Sequence, residues 1–198
     1  GAWLDNEYMY FKEEPIIRLK DIVLVGDHNK QNILAAIAIA MLMGATKAGI
    51  YQVLTTFSGV EHRLQYVANK NERLFYNDSK ATNMLATEKA LQSFTQPIIL
   101  LAGGLDRGDD YEDLVPYLNN VKEMIVFGET AEKLKTVAIK ENIIVHQAID
   151  VREAVHIAYE DSKEGDVILL SPACASWDQY KTFEERGNMF IQAVHTLA

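Results

Sequence analysis

The sequence has a single cysteine, Cys174, in 198 residues. A disulfide framework and a multi-cysteine zinc site are therefore excluded. It is short of basic charge: 19 Lys and Arg stand against 28 Asp and Glu, a formal net charge of −9. A broad phosphate-neutralising surface, and with it a nucleic-acid partner, is not expected. Long hydrophobic runs are also lacking. The longest, Ile33–Met43, is 11 residues, too short to span a bilayer, so no membrane partner is expected. No secretory signal pattern stands out, and a reducing cytoplasm is the expected compartment. Linkers, repeats and low-complexity tracts are missing too. What is there is a 48% apolar composition, which supports a real core and excludes an acidic disordered tail. The length fits one ordinary domain, or one domain plus a piece of another. The chain opens Gly1-Ala2-Trp3 without Met, and the expectation is a piece cut from a longer chain.

The pattern changes near Ser58-Gly59. Before it, Tyr8–Phe11 and Ile22–Val25 read as strands and Gly26–Asn29 as a turn. Residues 29–43 read as a helix apolar nearly all round, hence buried, with Gly44 as its stop. A second helix is predicted over Thr46–Phe57. These few elements present more apolar face than they can bury among themselves, which is expected of the end of a larger domain. After Gly59 the chain alternates. Strands are predicted at 65–68, 74–76, 98–102, 124–128, 143–146 and 167–171. Helices are predicted at about 84–94, 110–119, 130–141, 150–162 and 180–197. Asn69–Arg73 is short enough to close a hairpin. Near-continuous apolar runs such as Pro97–Leu101 imply burial on both faces, hence a mostly parallel, doubly wound α/β sheet over residues 60–198. Ligands of such sheets sit beyond the carboxyl ends of the strands.

Three strand ends carry chemistry. Asn77-Asp78-Ser79-Lys80-Ala81-Thr82-Asn83 has six polar side chains in seven residues before a helix. A helix N-terminus with Lys80 and Thr82 suits a carboxylate or phosphate, although Asp78 or Ser79 could simply cap the helix. Gly103-Gly104-Leu105-Asp106-Arg107-Gly108 combines glycines that permit close backbone approach with a cation for a carboxylate; a solvated turn is the alternative. In Ser171-Pro172-Ala173-Cys174-Ala175-Ser176, Cys174 is either a nucleophile awaiting a distant histidine or a buried structural thiol. Ser176 either bonds a ligand or caps the last helix. Lys181, Glu184, Glu185 and Arg186 fit an exposed, salt-bridged helix face. His62-Arg63 sits at the junction, a place for hinge or ligand contacts, with plain surface chemistry the commoner role of such a pair. His146, His156 and His195 have no metal-ligand spacing, and no metal site is expected. Asn29 and Asn32 lie one helical turn apart, suited to base or sugar contacts, or to capping by Asn29.

Taken in order, Gly26-Asp27-His28-Asn29-Lys30-Gln31-Asn32, Glu61-His62-Arg63, Asn77–Asn83, Gly103–Gly108, Ser171–Ser176 and Phe183-Glu184-Glu185-Arg186-Gly187 resemble the Mur ligase family, most closely its D-glutamate-adding branch. The resemblance covers essentially the whole chain. It implies a three-domain ligase, of which residues 1–59 are the end of the central ATP-binding domain and 60–198 the C-terminal Rossmann-like domain. The missing N-terminal and central domains would be its partners, in a protein that is a monomer when complete. The implied reaction uses ATP and Mg2+ to phosphorylate UDP-MurNAc-L-alanine, whose acyl phosphate the D-glutamate amine attacks in peptidoglycan synthesis. By the same resemblance Asn29, Asn32, Arg63 and Asp78 would bind ATP, and Lys80, Thr82, Arg107, Ser176 and Phe183 would bind D-glutamate. Arg107 stands where some members have lysine. The family's phosphate loop is absent, and the sequence has no Gly-Lys dipeptide, so this stretch alone is expected to be inactive. Other readings are a lysine- or diaminopimelate-adding ligase, a folylpolyglutamate synthase, a non-catalytic α/β binding module, or a Cys174-dependent hydrolase.

Overall fold

The computed structural model describes residues 1–24, 26–57 and 59–198, and only the backbone of Asp27 and His28. The chain divides into two compact units, Gly1–Gly59 and Val60–Ala198. In the first, β1 (Ala2–Leu4), β2 (Tyr8–Phe11) and β3 (Glu14–Arg18) form an antiparallel meander. Helices α1 (Asp27–Leu42) and α2 (Lys47–Thr56) follow. Met9, Phe11, Ile16, Ile17, Ile33, Ile37, Ile50 and Leu54 make its core.

Two expectations fail in this unit. Ile22–Leu24 form no strand (Val25 lies outside the described residues): Val23 N–H donates to Leu54 O at the end of α2, so the segment is tied to a helix instead of a ladder. Nor is α1 buried all round. Ile33 and Ile37 are covered, whereas Ile39 and Leu42 are 64% and 74% exposed. The expected surplus of apolar surface is present, because two short helices cannot enclose a stripe that circles one of them. Strands β1 and β3 were not legible, being three and five residues long with Pro15 breaking the alternation of β3.

The second unit is built on a sheet ordered β4-β5-β9-β6-β7-β8 among the described residues. Its strands are β4 (Gln65–Lys70), β5 (Arg73–Asn77), β6 (Ile98–Gly103), β7 (Val121–Phe127), β8 (Ile144–Gln147) and β9 (Val167–Leu170). Only β4 pairs antiparallel, through its hairpin with β5; the other pairings are parallel. Strands β6 and β9 are buried on both faces along their whole length, as their unbroken apolar runs require. Helices α5 (Val151–Asp161) and α6 (Phe183–Thr196) cover one face. The other carries α4 (Ala131–Lys140), together with α3 (Met84–Leu91) and a 3-10 segment, Tyr111–Tyr117. That segment replaces the expected helix at 110–119. Pro116 lies inside it, and a proline there removes an N–H and crowds the preceding turn. The last helix begins at Phe183 instead of about 180, because Thr182 caps it by accepting from Glu185 N. The chain returns from β8 at the sheet edge to insert β9 between β5 and β6. The strand order therefore reverses there, and the three loops with candidate chemistry leave adjacent strands β5, β9 and β6.

Candidate functional site

The loop after β5 is held from both sides. Asn77 is fully buried; its Oδ1 accepts from Ser79 N at 3.1 Å, and its Nδ2 lies 2.9 Å from His62 Nδ1. His62 adopts φ 62° and is buried, so it is a packing residue that fixes the start of this unit. Its carbonyl accepts from Lys80 N at 2.9 Å. Asp78 is buried as well. Its Oδ1 accepts from Leu64 N at 3.0 Å and its Oδ2 from Ser171 Oγ at 2.9 Å. Burial outweighs these bonds and the nearby Arg63 charge, and pushes the carboxyl up to about 6. Asp78 thereby joins the 61–64 loop to the end of β9. Neither it nor Ser79 caps α3; Asn83 does, accepting from Ala86 N at 3.0 Å.

The glycines after β6 serve packing. A Cβ on Gly103 would lie 1.9 Å from Phe127 O, and one on Gly104 would lie 2.2 Å from Ala175 O. Gly103 N donates to Pro172 O, Gly104 N to Thr130 Oγ1 and Leu105 N to Ala175 O. The expected close approach is thus backbone to backbone between the loops after β6 and β9. Cys174 sits beneath this contact, buried, with Sγ 3.1 Å from the Tyr111 hydroxyl and 3.3 Å from Thr130 Oγ1. Burial raises its thiol, and no histidine lies against it among the described residues. Of the two readings of Cys174, the structural thiol is the one that holds.

The element missed by sequence reasoning is Arg186. It was expected on an exposed helix face and is instead fully buried. Its Nε donates to Ser79 Oγ at 3.0 Å, Nη2 to Ser79 O at 2.9 Å and to Cys174 O at 3.0 Å, and Nη1 to Gly103 O at 3.3 Å. One guanidinium thus binds all three strand-end loops. Desolvation lowers its pKa to about 10, so it remains charged at neutral pH. A signal was available: Arg186 shares a helix face with Phe190, Ala193 and Val194, all buried, which marks the core side of α6.

Around this staple are side chains with unused capacity. Lys80 is exposed and has no ion pair among the described residues; its Nζ stands 5.2 Å over the ring of Phe183, at the start of α6. Thr82 is half-buried two residues on. Arg107 is exposed, again without an ion pair among the described residues, and stacks 4.9 Å over Trp177. Arg63 is exposed beside Asp78. Ser176 is 1% exposed, its Oγ is buried without a hydrogen-bond partner, and it does not cap α6. The structure thus sets Lys80 over Phe183, leaves Arg63 near Asp78 without an ion pair among the described residues, and sets Arg107 against the loop that carries Ser176. Asn29 and Asn32 belong to the first unit, where Asn32 Nδ2 donates to Asn29 Oδ1 at 3.4 Å. Gly26, not Asn29, is the N-cap of α1. The junction near Ser58-Gly59 includes Ser58, which lies outside the described residues.

Neither unit holds a helix long and apolar enough to cross a membrane among the described residues. A family model described as "Mur ligase, glutamate ligase domain" matches residues 62–174. The whole chain is 63% identical to 44% of the length of UDP-N-acetylmuramoylalanine--D-glutamate ligase from Oceanobacillus iheyensis. It is 60% identical to the same share of the enzyme of that name from Bacillus cereus. It therefore spans less than half the length of the curated relatives it matches. Among solved structures, MurF from Acinetobacter baumannii superposes with a TM-score of 0.67 over 98% of this chain and 45% of that one, at 18% identity. MurF ligase from Thermotoga maritima in complex with ADP gives 0.63 over 100% of this chain and 47% of that one, also at 18% identity. These likenesses establish the fold.

Proposed function

The chain belongs to the Mur ligase family, and we propose that it is the amino-acid-receiving part of an ATP-dependent ligase that joins D-glutamate to UDP-MurNAc-L-alanine. Residues 1–59 are then the end of the central ATP-binding domain and residues 60–198 the C-terminal domain, in a cytoplasmic enzyme of peptidoglycan synthesis.

The observation that carries the reading is Lys80, an exposed cation in no ion pair among the described residues, its charge felt by the nearby Glu184 carboxyl, in a chain of net charge −9. D-Glutamate brings two carboxylates. Lys80 and Arg107 supply the charge, and the Ser176 hydroxyl supplies a donor already desolvated and unspent. Phe183 restrains the Lys80 ammonium, and Thr82 adds a hydroxyl beside it. Each acts by binding and orienting the substrate so that its amine faces the activated carboxyl group. Arg186 acts through the others by fixing the loops that carry Lys80 and Ser176.

Arg63 is assigned to the nucleotide, and so, in the first unit, are Asn29 and Asn32, a cation and two amides being suited to phosphate, sugar or base contacts. Asp78 serves by holding the loop beside Arg63, its two oxygens being taken by Leu64 N and Ser171 Oγ. These residues do not make a phosphate cradle, and the sequence contains no Gly-Lys dipeptide to form one. ATP, held with Mg2+ by residues outside this chain, would transfer its terminal phosphoryl group to the substrate carboxylate and leave as ADP, and no chemical step is assigned to residues within this chain.

The test is the complete enzyme assayed for phosphate release with UDP-MurNAc-L-alanine, ATP and a panel of D-glutamate, L-lysine, diaminopimelate and L-glutamate. Turnover with D-glutamate alone is expected. Preference for a diamino acid would transfer the assignment to another branch of the family.

A further inference from the structure

Away from the strand-end loops, three ligand-bearing side chains converge on the α5 face of the sheet. Glu123 lies on β7 and His146 on β8. Register pairs Glu123 with Ile144 and Ile125 with His146, so side chains alternating along each strand put Glu123, Ile125, Ile144 and His146 on one face. That face is the one packed by α5, since Ile125 belongs to the same core cluster as Val151, Ala154, Val155 and Ala158 of that helix. Asp161, the last residue of α5, continues the stripe of Ala154 and Ala158 one turn further. Three separate elements therefore deliver the cluster.

His146 Nε2 is 3.7 Å from Glu123 Oε1 and 3.7 Å from Asp161 Oδ2, and the three ligand atoms lie within 4.8 Å of one another. Glu123 is 4% exposed, and its Oε1 is buried without a hydrogen-bond partner. A buried acceptor left unsatisfied is costly. Burial raises the Glu123 carboxyl, and the Asp161 charge beside it adds to the rise. Lys122, whose charge reaches Glu123, is committed at 2.6 Å to Asp166. Two carboxylates and one imidazole nitrogen thus face a common point with one oxygen unspent.

We propose that Glu123, His146 and Asp161 bind a divalent transition-metal ion of the Zn2+ class. Tetrahedral ligands about 2.0 Å from zinc stand ~3.3 Å apart, so the two 3.7 Å separations need to close by only a few tenths of an ångström. An imidazole ligand selects against Mg2+, which favours oxygen and retains its waters. The half-exposed His146 leaves the fourth position open to water. The ion would tie the edge strand β8 to β7 and to the end of α5. It is separate from the ligase chemistry proposed above, and holds or fails independently of it.

The experiment is zinc titration of the 198-residue chain by calorimetry in millimolar Mg2+, with Co2+ absorbance as a second probe. One Zn2+ per chain is expected, with a rise in the unfolding temperature. His146→Ala and Asp161→Asn, both at exposed positions, are each expected to weaken binding by at least about tenfold, whereas His195→Ala leaves it unchanged. Glu123→Gln is expected to abolish the site, with retained far-UV circular dichroism confirming the fold. Absence of zinc uptake by the parent chain, or equal affinity in the parent, His146→Ala and Asp161→Asn, would overturn the proposal.

Discussion

The guanidinium of Arg186 donates to the carbonyl of Cys174 at 3.0 Å from a side chain with no exposure to solvent. The same group also holds Ser79 and Gly103. Removing it strands several buried acceptors at once. Arg186→Met is expected to cost about 3 kcal/mol or more of stability, read from the urea midpoint followed through Trp177 fluorescence. Arg186→Lys is expected to recover little, because an ammonium cannot reproduce the planar fork. Equal stability of Arg186→Met and parent would remove the staple from the account.

Asp78 titrates in the opposite sense to a salt-bridged carboxylate. Its folded pKa of about 6 lies above the ordinary 3.8, so between those values the folded state holds more protons than the unfolded one. Stability contributed by the protonated form is present below about pH 4 and is lost as pH rises through 6, on the order of 2–3 kcal/mol. The difference in urea midpoint between parent and Asp78→Asn should therefore fall across that window. A flat difference from pH 4 to 7 would contradict the assignment of burial as the dominant cause.

Gly104 and Gly108 separate crowding from conformation. Both have positive φ, at 147° and 84°. A Cβ on Gly104 meets Ala175 O at 2.2 Å, whereas one on Gly108 meets nothing within 4 Å. Gly108→Ala should cost about 1 kcal/mol, and Gly104→Ala ~3 kcal/mol or more with loss of the loop packing. Thermal unfolding of the pair decides it; similar losses would mean the loops can part.

Cys174 is expected to be inert. In the native chain its alkylation by iodoacetamide should proceed only as fast as local opening allows, and become rapid in denaturant. Fast modification of the folded chain, accompanied by esterase or amidase turnover, would revive the hydrolase reading.

The parallel sheet was legible because β6 and β9 are unbroken apolar runs and the intervening helices carry clear periodicity. The first unit was less so. Its strands are short, and Ile22–Leu24 has strand composition but gives its hydrogen bond to α2. In the site, residue types and order pointed to three loops that the fold brings to the ends of adjacent strands β5, β9 and β6. What could not be read was which polar groups would be consumed internally. Asp78, His62 and Arg186 are spent on the frame, whereas Lys80 and Ser176 are not. Histidine spacing alone also could not show that His146 stands beside Glu123 and Asp161, which come from other elements.

Lys80→Ala in the complete enzyme gives the most direct test of the central claim, that the strand-end cation receives D-glutamate. Steady-state kinetics should show the Michaelis constant for D-glutamate rising by about tenfold or more, as loss of a charge-assisted contact predicts, with the constant for ATP nearly unchanged. Equal increases for both substrates, or none for D-glutamate, would contradict it.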